Sequence, residues 1–134
     1  MAEAQPVHNE PLPGFDGHIG LEYLSVGSDE MRARVAVRPH HLQPFGLVHG
    51  GVYAAVAESM ASYGTAVGAG EGKFVAGMSN STTFLRPLRD GTIHALAVPR
   101  HTGRTTWIWD VDLTGDDGRP VATSRVTIAV REAR

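Results

Sequence analysis

The chain has 134 residues, no cysteine and a formal net charge of −2. That length suits one domain, since a chain of about 150 residues buries roughly 70% of its unfolded surface without staples. The missing cysteines exclude disulfides, thiolate metal centres and cysteine nucleophiles, and a pI near 6.4 with no basic tract leaves no electrostatic footprint for nucleic acid.

Residues 1–17 hold three prolines and two glycines and read as a flexible N-terminal arm ahead of a single domain over 18–134. The opening MAEAQPVHNE lacks the basic and apolar regions of an export signal. Only one segment approaches the ~20 apolar residues of a membrane span, and it carries Glu58, Ser59, Ser62 and Thr65. The expectation is a cytoplasmic protein with no membrane or nucleic-acid partner.

From Ile19 the pattern is sheet-like. Met31, Ala33, Val35 and Val37 alternate with Arg32, Arg34 and Arg38, the signature of a half-buried strand. Two prolines and a glycine break RPHHLQPFGLV (38–48) into loop. His40-His41 is read as a feature of that loop, without metal-ligand spacing. A helix follows from about Gly51 to Val67, where Val52, Val56, Met60, Tyr63 and Val67 recur at helical spacing. Ala54, Ala55, Ala57 and Ala61 fill much of the rest, which suits a helix that a sheet approaches closely.

Four strand-like runs come next: 74–85, 92–100, 105–113 and 121–131, separated by Arg89-Asp90-Gly91, Thr102-Gly103 and Gly115-Asp116-Asp117-Gly118. Trp107, Trp109, Val111 and Leu113 share one face of the third run. Short turns between neighbours imply an antiparallel sheet. The fold class is α+β, one long helix packed on a curved antiparallel sheet.

Glu58 is the only acidic or basic side chain between Gly50 and Gly70. Burying a lone ion costs several kcal/mol, roughly, so its presence in this segment points to use. Ser62 lies one turn on, on the same helical face. The pair could serve as nucleophile or general base with a supporting hydroxyl, or form a merely solvated face. Gly50 and Gly51 stand where the helix begins, where unpaired N–H groups and the helix dipole favour an anion or oxyanion. They could equally only turn the chain.

The spacing between these groups restricts how they combine. Gly50 and Glu58 are eight residues apart, about 12 Å along a helix axis. A glutamate reaches only a few ångströms, so one helix cannot bring both to a single carbonyl. If both serve one reaction, they come from different subunits related by a two-fold axis.

His49 could hold the loop or assist the reaction, and Gln43 could orient substrate or water. Arg104, with Thr105 and Thr106, could grip a phosphate or a carrier arm, or sit in an ordinary hairpin. Arg86-Pro87 is either an anion contact or a strand end. Trp107, Trp109, Tyr53 and Phe84 could line an aryl pocket or fill the core.

The run Gln43-Pro44-Phe45-Gly46-Leu47-Val48-His49-Gly50-Gly51, followed by Glu58 and Ser62, resembles the hotdog-fold acyl-CoA thioesterases. The nearest types are the hydroxybenzoyl-CoA, phenylacetyl-CoA and siderophore-proofreading thioesterases, and the likeness spans roughly 18–131. It implies a hotdog fold with one long central helix wrapped by the sheet. It further implies Glu58 as the catalytic carboxylate, Gly50 N–H polarising the thioester carbonyl, His49 and Gln43 beside it and Ser62 in support. Gly77, Arg86, His101, Gly103, Arg104, Thr105 and Thr106 match coenzyme A contacts. Coenzyme A, or a carrier protein, enters as part of the substrate; no separate cofactor or metal is implied, and assembly is as a dimer or tetramer with sites between subunits. Phe84-Leu85 departs from relatives with polar residues there. A hydratase or dehydratase on the same fold, or a non-catalytic acyl-CoA binder, is the alternative.

Overall fold

The structure, a computed structural model, describes residues 4–133. A short helix α1 (Gly14–His18) leads into strands β1 (Leu21–Ser25) and β2 (Met31–Ala36), then the long helix α2 (Gly50–Ala69). Strands β3 (Lys73–Phe84), β4 (Thr92–Thr102), β5 (Thr106–Thr114) and β6 (Pro120–Glu132) complete the chain. They form one antiparallel sheet in the order β1-β2-β4-β5-β6-β3. The sheet wraps α2, as the sequence pattern and the resemblance both implied. The strand ends fall within a residue or two of the expected runs. Within the 38–48 loop the chain makes a 3-10 turn at Pro39–His41.

The alternation rule explains which residues meet the helix. Met31, Ala33 and Val35 of β2, Ile93, Ala95 and Ala97 of β4, and Trp107, Trp109, Val111 and Leu113 of β5 point inward and are buried. Val52, Val56, Ala57, Met60 and Ala61 meet them from α2. Trp107, Trp109 and Tyr53 are thus core residues, whereas Phe84 is exposed. Strand register turns Trp107 and Trp109 inward, and Tyr53 is turned inward by its place on the sheet-facing side of α2.

Two interior glycines of α2 have a packing reason. A Cβ on Gly64 would stand 2.5 Å from the Trp109 ring, and one on Gly68 would collide with Trp107. Trp109 donates its indole N–H to Thr65 Oγ1 at 2.9 Å, and the Thr65 hydroxyl in turn donates to the Ala61 carbonyl at 2.7 Å. The helix ends at Gly70, whose φ of 81° closes the cap by a bond to the Ala66 carbonyl. No helix among the described residues is long and apolar enough to cross a membrane.

Candidate active site

His49, the residue before α2, caps the helix. Its Nδ1 accepts from the Gly51 N–H at 2.8 Å, which leaves the ring proton on Nε2 as an outward donor. The Gly50 N–H, one residue earlier, finds no acceptor among the described residues. A side chain at Gly50 would stand 2.5 Å from Phe84 Cζ, so Phe84 already lies across the glycine face. The helix therefore opens with one satisfied and one free donor.

Gln43 builds the loop before this point. Its Oε1 accepts from the Phe45 N–H at 2.5 Å and the Leu47 N–H at 3.3 Å, and Gly46, at φ 84°, turns the chain between them. The Gln43 amide nitrogen is left to donate elsewhere. His41 anchors the same loop from beneath. It is 2% exposed, accepts from the Arg38 N–H at Nδ1 (2.8 Å) and reaches the Ile19 carbonyl with Nε2 (2.8 Å). The His49 N–H then bonds to the His41 carbonyl at 2.9 Å. Both ring nitrogens of His41 are committed, in keeping with a structural histidine, and no three His, Asp or Glu side chains among the described residues group as metal ligands.

Glu58 lies two turns down α2, and it is exposed in the protomer. The outer face of α2 that carries it meets only the edge strand β3 of the sheet. Its carboxylate packs against Gly77, where a Cβ would stand 3.2 Å from Oε2. A backbone irregularity between Gly77 and Ser79 shifts the β3–β6 register there. Gly77 thus borders the carboxylate itself. Ser62 shares a cavity of about 460 Å³ with Glu58, and a second cavity of about 320 Å³ touches the other side of Glu58 near Phe15 and Asn80.

Asn80 escaped the sequence reading. Its Nδ2 donates to the Ala54 carbonyl at 2.8 Å, the carbonyl that also receives the Glu58 N–H in a regular helix. Its Oδ1 accepts from Thr82 (2.7 Å) and Ser124 (3.2 Å). An asparagine in mid-strand is disfavoured, and that was the available signal. Strand β3 thus follows α2 through three contacts, Phe84 to Gly50, Asn80 to Ala54 and Gly77 to Glu58.

The other candidates lie apart. Arg86 donates through one Nη to Asp117 Oδ1 at 2.9 Å and to the Arg119 carbonyl, while its buried Nε has no partner among the described residues. His101, Gly103, Arg104, Thr105 and Thr106 cluster at the β4–β5 turn, closed by the Gly103 N–H to the Thr106 carbonyl at 2.9 Å. Gly103 and Arg104 share a cavity of about 450 Å³ with Gly68 and Ala69, the far end of α2. Gly50 and Gly68 stand about 27 Å apart along the axis. One protomer therefore holds the carboxylate, the free N–H and the cationic turn at three separate stations.

A family model described as the thioesterase superfamily matches residues 45–122. Protein Rv1847 of Mycobacterium tuberculosis, provisionally named an esterase, is 40% identical over 97% of this chain and 99% of its own length. Its solved structure gives a TM-score of 0.85, covering 90% of this chain and 98% of that one. The crystal structure of thioesterase HI1161 from Haemophilus influenzae is similar at 35% identity and TM-score 0.81, covering 86% of this chain and 80% of that one. The proofreading thioesterase EntH of Cronobacter turicensis is 34% identical over 84% of this chain and 82% of its own.

Proposed function

The chain belongs to the thioesterase superfamily, with its hotdog fold, and from that premise we propose that it hydrolyses an acyl-coenzyme A or acyl carrier-protein thioester to a free acid and a thiol. The observation that carries this reading is Glu58, an exposed carboxylate between two cavities and pressed against a glycine that leaves it room. Glu58 either takes a proton from water as the water oxygen attacks the carbonyl carbon, or attacks that carbon itself before water cleaves the resulting anhydride. In both routes a C–O bond forms, the C–S bond breaks and the thiolate leaves with a proton. Ser62, one turn on, supports the attacking group.

The carbonyl oxygen gains negative charge as it is attacked, and the free Gly50 N–H at a helix N-terminus is suited to receive it. Because Glu58 and Gly50 touch different parts of β3, the composite site takes Gly50 from a second copy. Strand β3 lies at the sheet edge with Phe74 and Met78 exposed, an edge that pairing with another chain would cover. Two such edges joined about a two-fold axis set the α2 helices side by side and antiparallel. His49 Nε2–H and the Gln43 amide then flank the thioester. The exposed Arg104 at the β4–β5 turn of one copy approaches the Gly50 end of the other, where a phosphate-bearing carrier arm would pass.

Mixing two inactive variants tests both the residues and their division. Glu58→Gln removes the carboxylate. Gly50→Pro removes the N–H at the first helical position, where proline's backbone is tolerated, and the exposed Phe84 ring must swing aside for the added side chain. Thiol release from acyl-coenzyme A, followed with a thiol-reactive dye, is expected to be abolished in each alone. Mixed dimers regain one intact site of two, so about a quarter of wild-type activity returns on random exchange. No recovery in verified mixed dimers would place both groups in one chain's site, and full activity in Glu58→Gln alone would remove Glu58 from the chemistry.

A further inference from the structure

We propose that the N-terminal arm forms the distal wall of the acyl chamber, with His8 and Leu12 setting the size of acyl group the enzyme accepts. This rests on the thioesterase reading of Glu58. The 460 Å³ cavity that contains Glu58 has one wall from α2, namely Glu58, Ser62 and Tyr63. The arm borders the same cleft, which is largely open to solvent in the protomer, through His8, Leu12 and Asp16, and Tyr23 also lines it. A chamber of this size falls within the range of small-molecule sites.

The arm is fastened at three points. The Val7 N–H bonds to the Tyr23 carbonyl of β1 at 2.7 Å. The His8 ring stacks on Tyr63 with centroids 6.0 Å apart and meets Tyr23 edge-on at 6.1 Å. Ser59 donates to Asp16 Oδ1 at 2.6 Å, one residue from Glu58. Gly17 lets the arm fold back, since a side chain there would collide with the Leu12 carbonyl. These ties hold the wall against the same helical turn that carries the reacting carboxylate.

The chamber's chemistry follows from its lining. Burial first, then the neighbouring Asp16 and Tyr63, push the Tyr23 phenol above its ordinary range, so it presents a neutral ring. Tyr23, Tyr63 and His8 give flat aromatic surfaces at mutual angles, suited to a compact acyl group. With its carbonyl at Glu58, an acyl chain runs beneath the arm. His8 and Leu12 are then the side chains that a longer chain meets.

Two opposed substitutions read this wall. His8→Ala enlarges the chamber and Leu12→Trp fills it. Thiol release is measured on straight-chain acyl-coenzyme A esters from acetyl to dodecanoyl, and on benzoyl-coenzyme A. His8→Ala is expected to raise the ratio of kcat/KM for long over short acyl groups by about tenfold, and Leu12→Trp to lower it comparably. A uniform fall at every length, or an unchanged profile, in both variants overturns the wall while leaving hydrolysis in place. Absence of thiol release from every ester by the unmodified protein overturns the thioesterase reading, and the wall with it.

Discussion

The two faces of α2 are built by opposite rules. The inner face, Val52, Val56, Met60, Gly64 and Thr65, is closed against the sheet and fixed by Trp109. The outer face, Gly51, Ala54, Glu58 and Ser62, is left open or half-open, and the single charge of the helix stands there. One face holds the fold together and the other holds chemistry in place, which separates stability from turnover along a single element.

The sharpest way to break that division is Glu58→Gln. An exposed side chain outside the core contributes little to stability, so unfolding should shift within about 0.5 kcal/mol. Loss of a positioned acid–base group should lower kcat by about 10²–10⁴-fold. Denaturant unfolding beside a thiol-release assay checks both, and a large stability loss would mean that the outer face also carries the fold.

Gly64→Ala probes the inner face. Alanine favours a helix over glycine by up to about 1 kcal/mol, yet the added Cβ would meet Trp109 at 2.5 Å. Overpacking of a filled core costs about 1–3 kcal/mol, and the tryptophan has no free space to retreat into. Net destabilisation by urea titration is expected, with kcat per folded molecule nearly retained. A stabilised variant would mean that the indole yields easily.

Gly77→Ala tests the outer face while leaving Glu58 itself unchanged. Its Cβ would lie 3.2 Å from Glu58 Oε2, close enough to tilt the group but not to exclude it. A fall in kcat of about tenfold is expected, since small misplacements of reacting groups are costly, with a smaller change in stability. An unchanged kcat would show that Glu58 tolerates the crowding.

The same division explains what could be read in the chain. Strand and helix placement was legible, because Met31/Ala33/Val35 and Trp107/Trp109/Val111 alternate cleanly. Glu58 stood out by its isolation among uncharged neighbours. Its exposure was not legible, because periodicity reports which residues share a face and not whether that face is covered. The roles of Gly77, Asn80 and Gly64 were hidden for a related reason. Each depends on a neighbour distant in sequence, namely Glu58, Ala54 and Trp109. The arm residues His8 and Asp16 carry no periodic signal, and only the fold brings them to Tyr63 and Ser59.

The smallest effect is expected at the joint that supports the outer face from below. Burial first of all lowers the pKa of His41 from its ordinary 6.5, against the opposing pull of its bond to the Ile19 carbonyl, and the nearby His40, Arg38 and His18 lower it further. The folded state thus favours neutral His41, whose Nδ1 must accept from Arg38 N–H. The unfolded chain takes up its proton at the higher, ordinary value. Stability from this group is therefore complete above about pH 6.5 and is lost as pH falls from there through the depressed folded value. A protonated His41 cannot accept that bond, which loosens the 3-10 turn and the His49 N–H bonded to it. Melting between pH 7.5 and 5 should drop by a few degrees, roughly. His41→Asn, which keeps an acceptor but no titrating ring, should melt lower at pH 7.5 and lose part of that slope; an identical slope would assign the pH response to other groups.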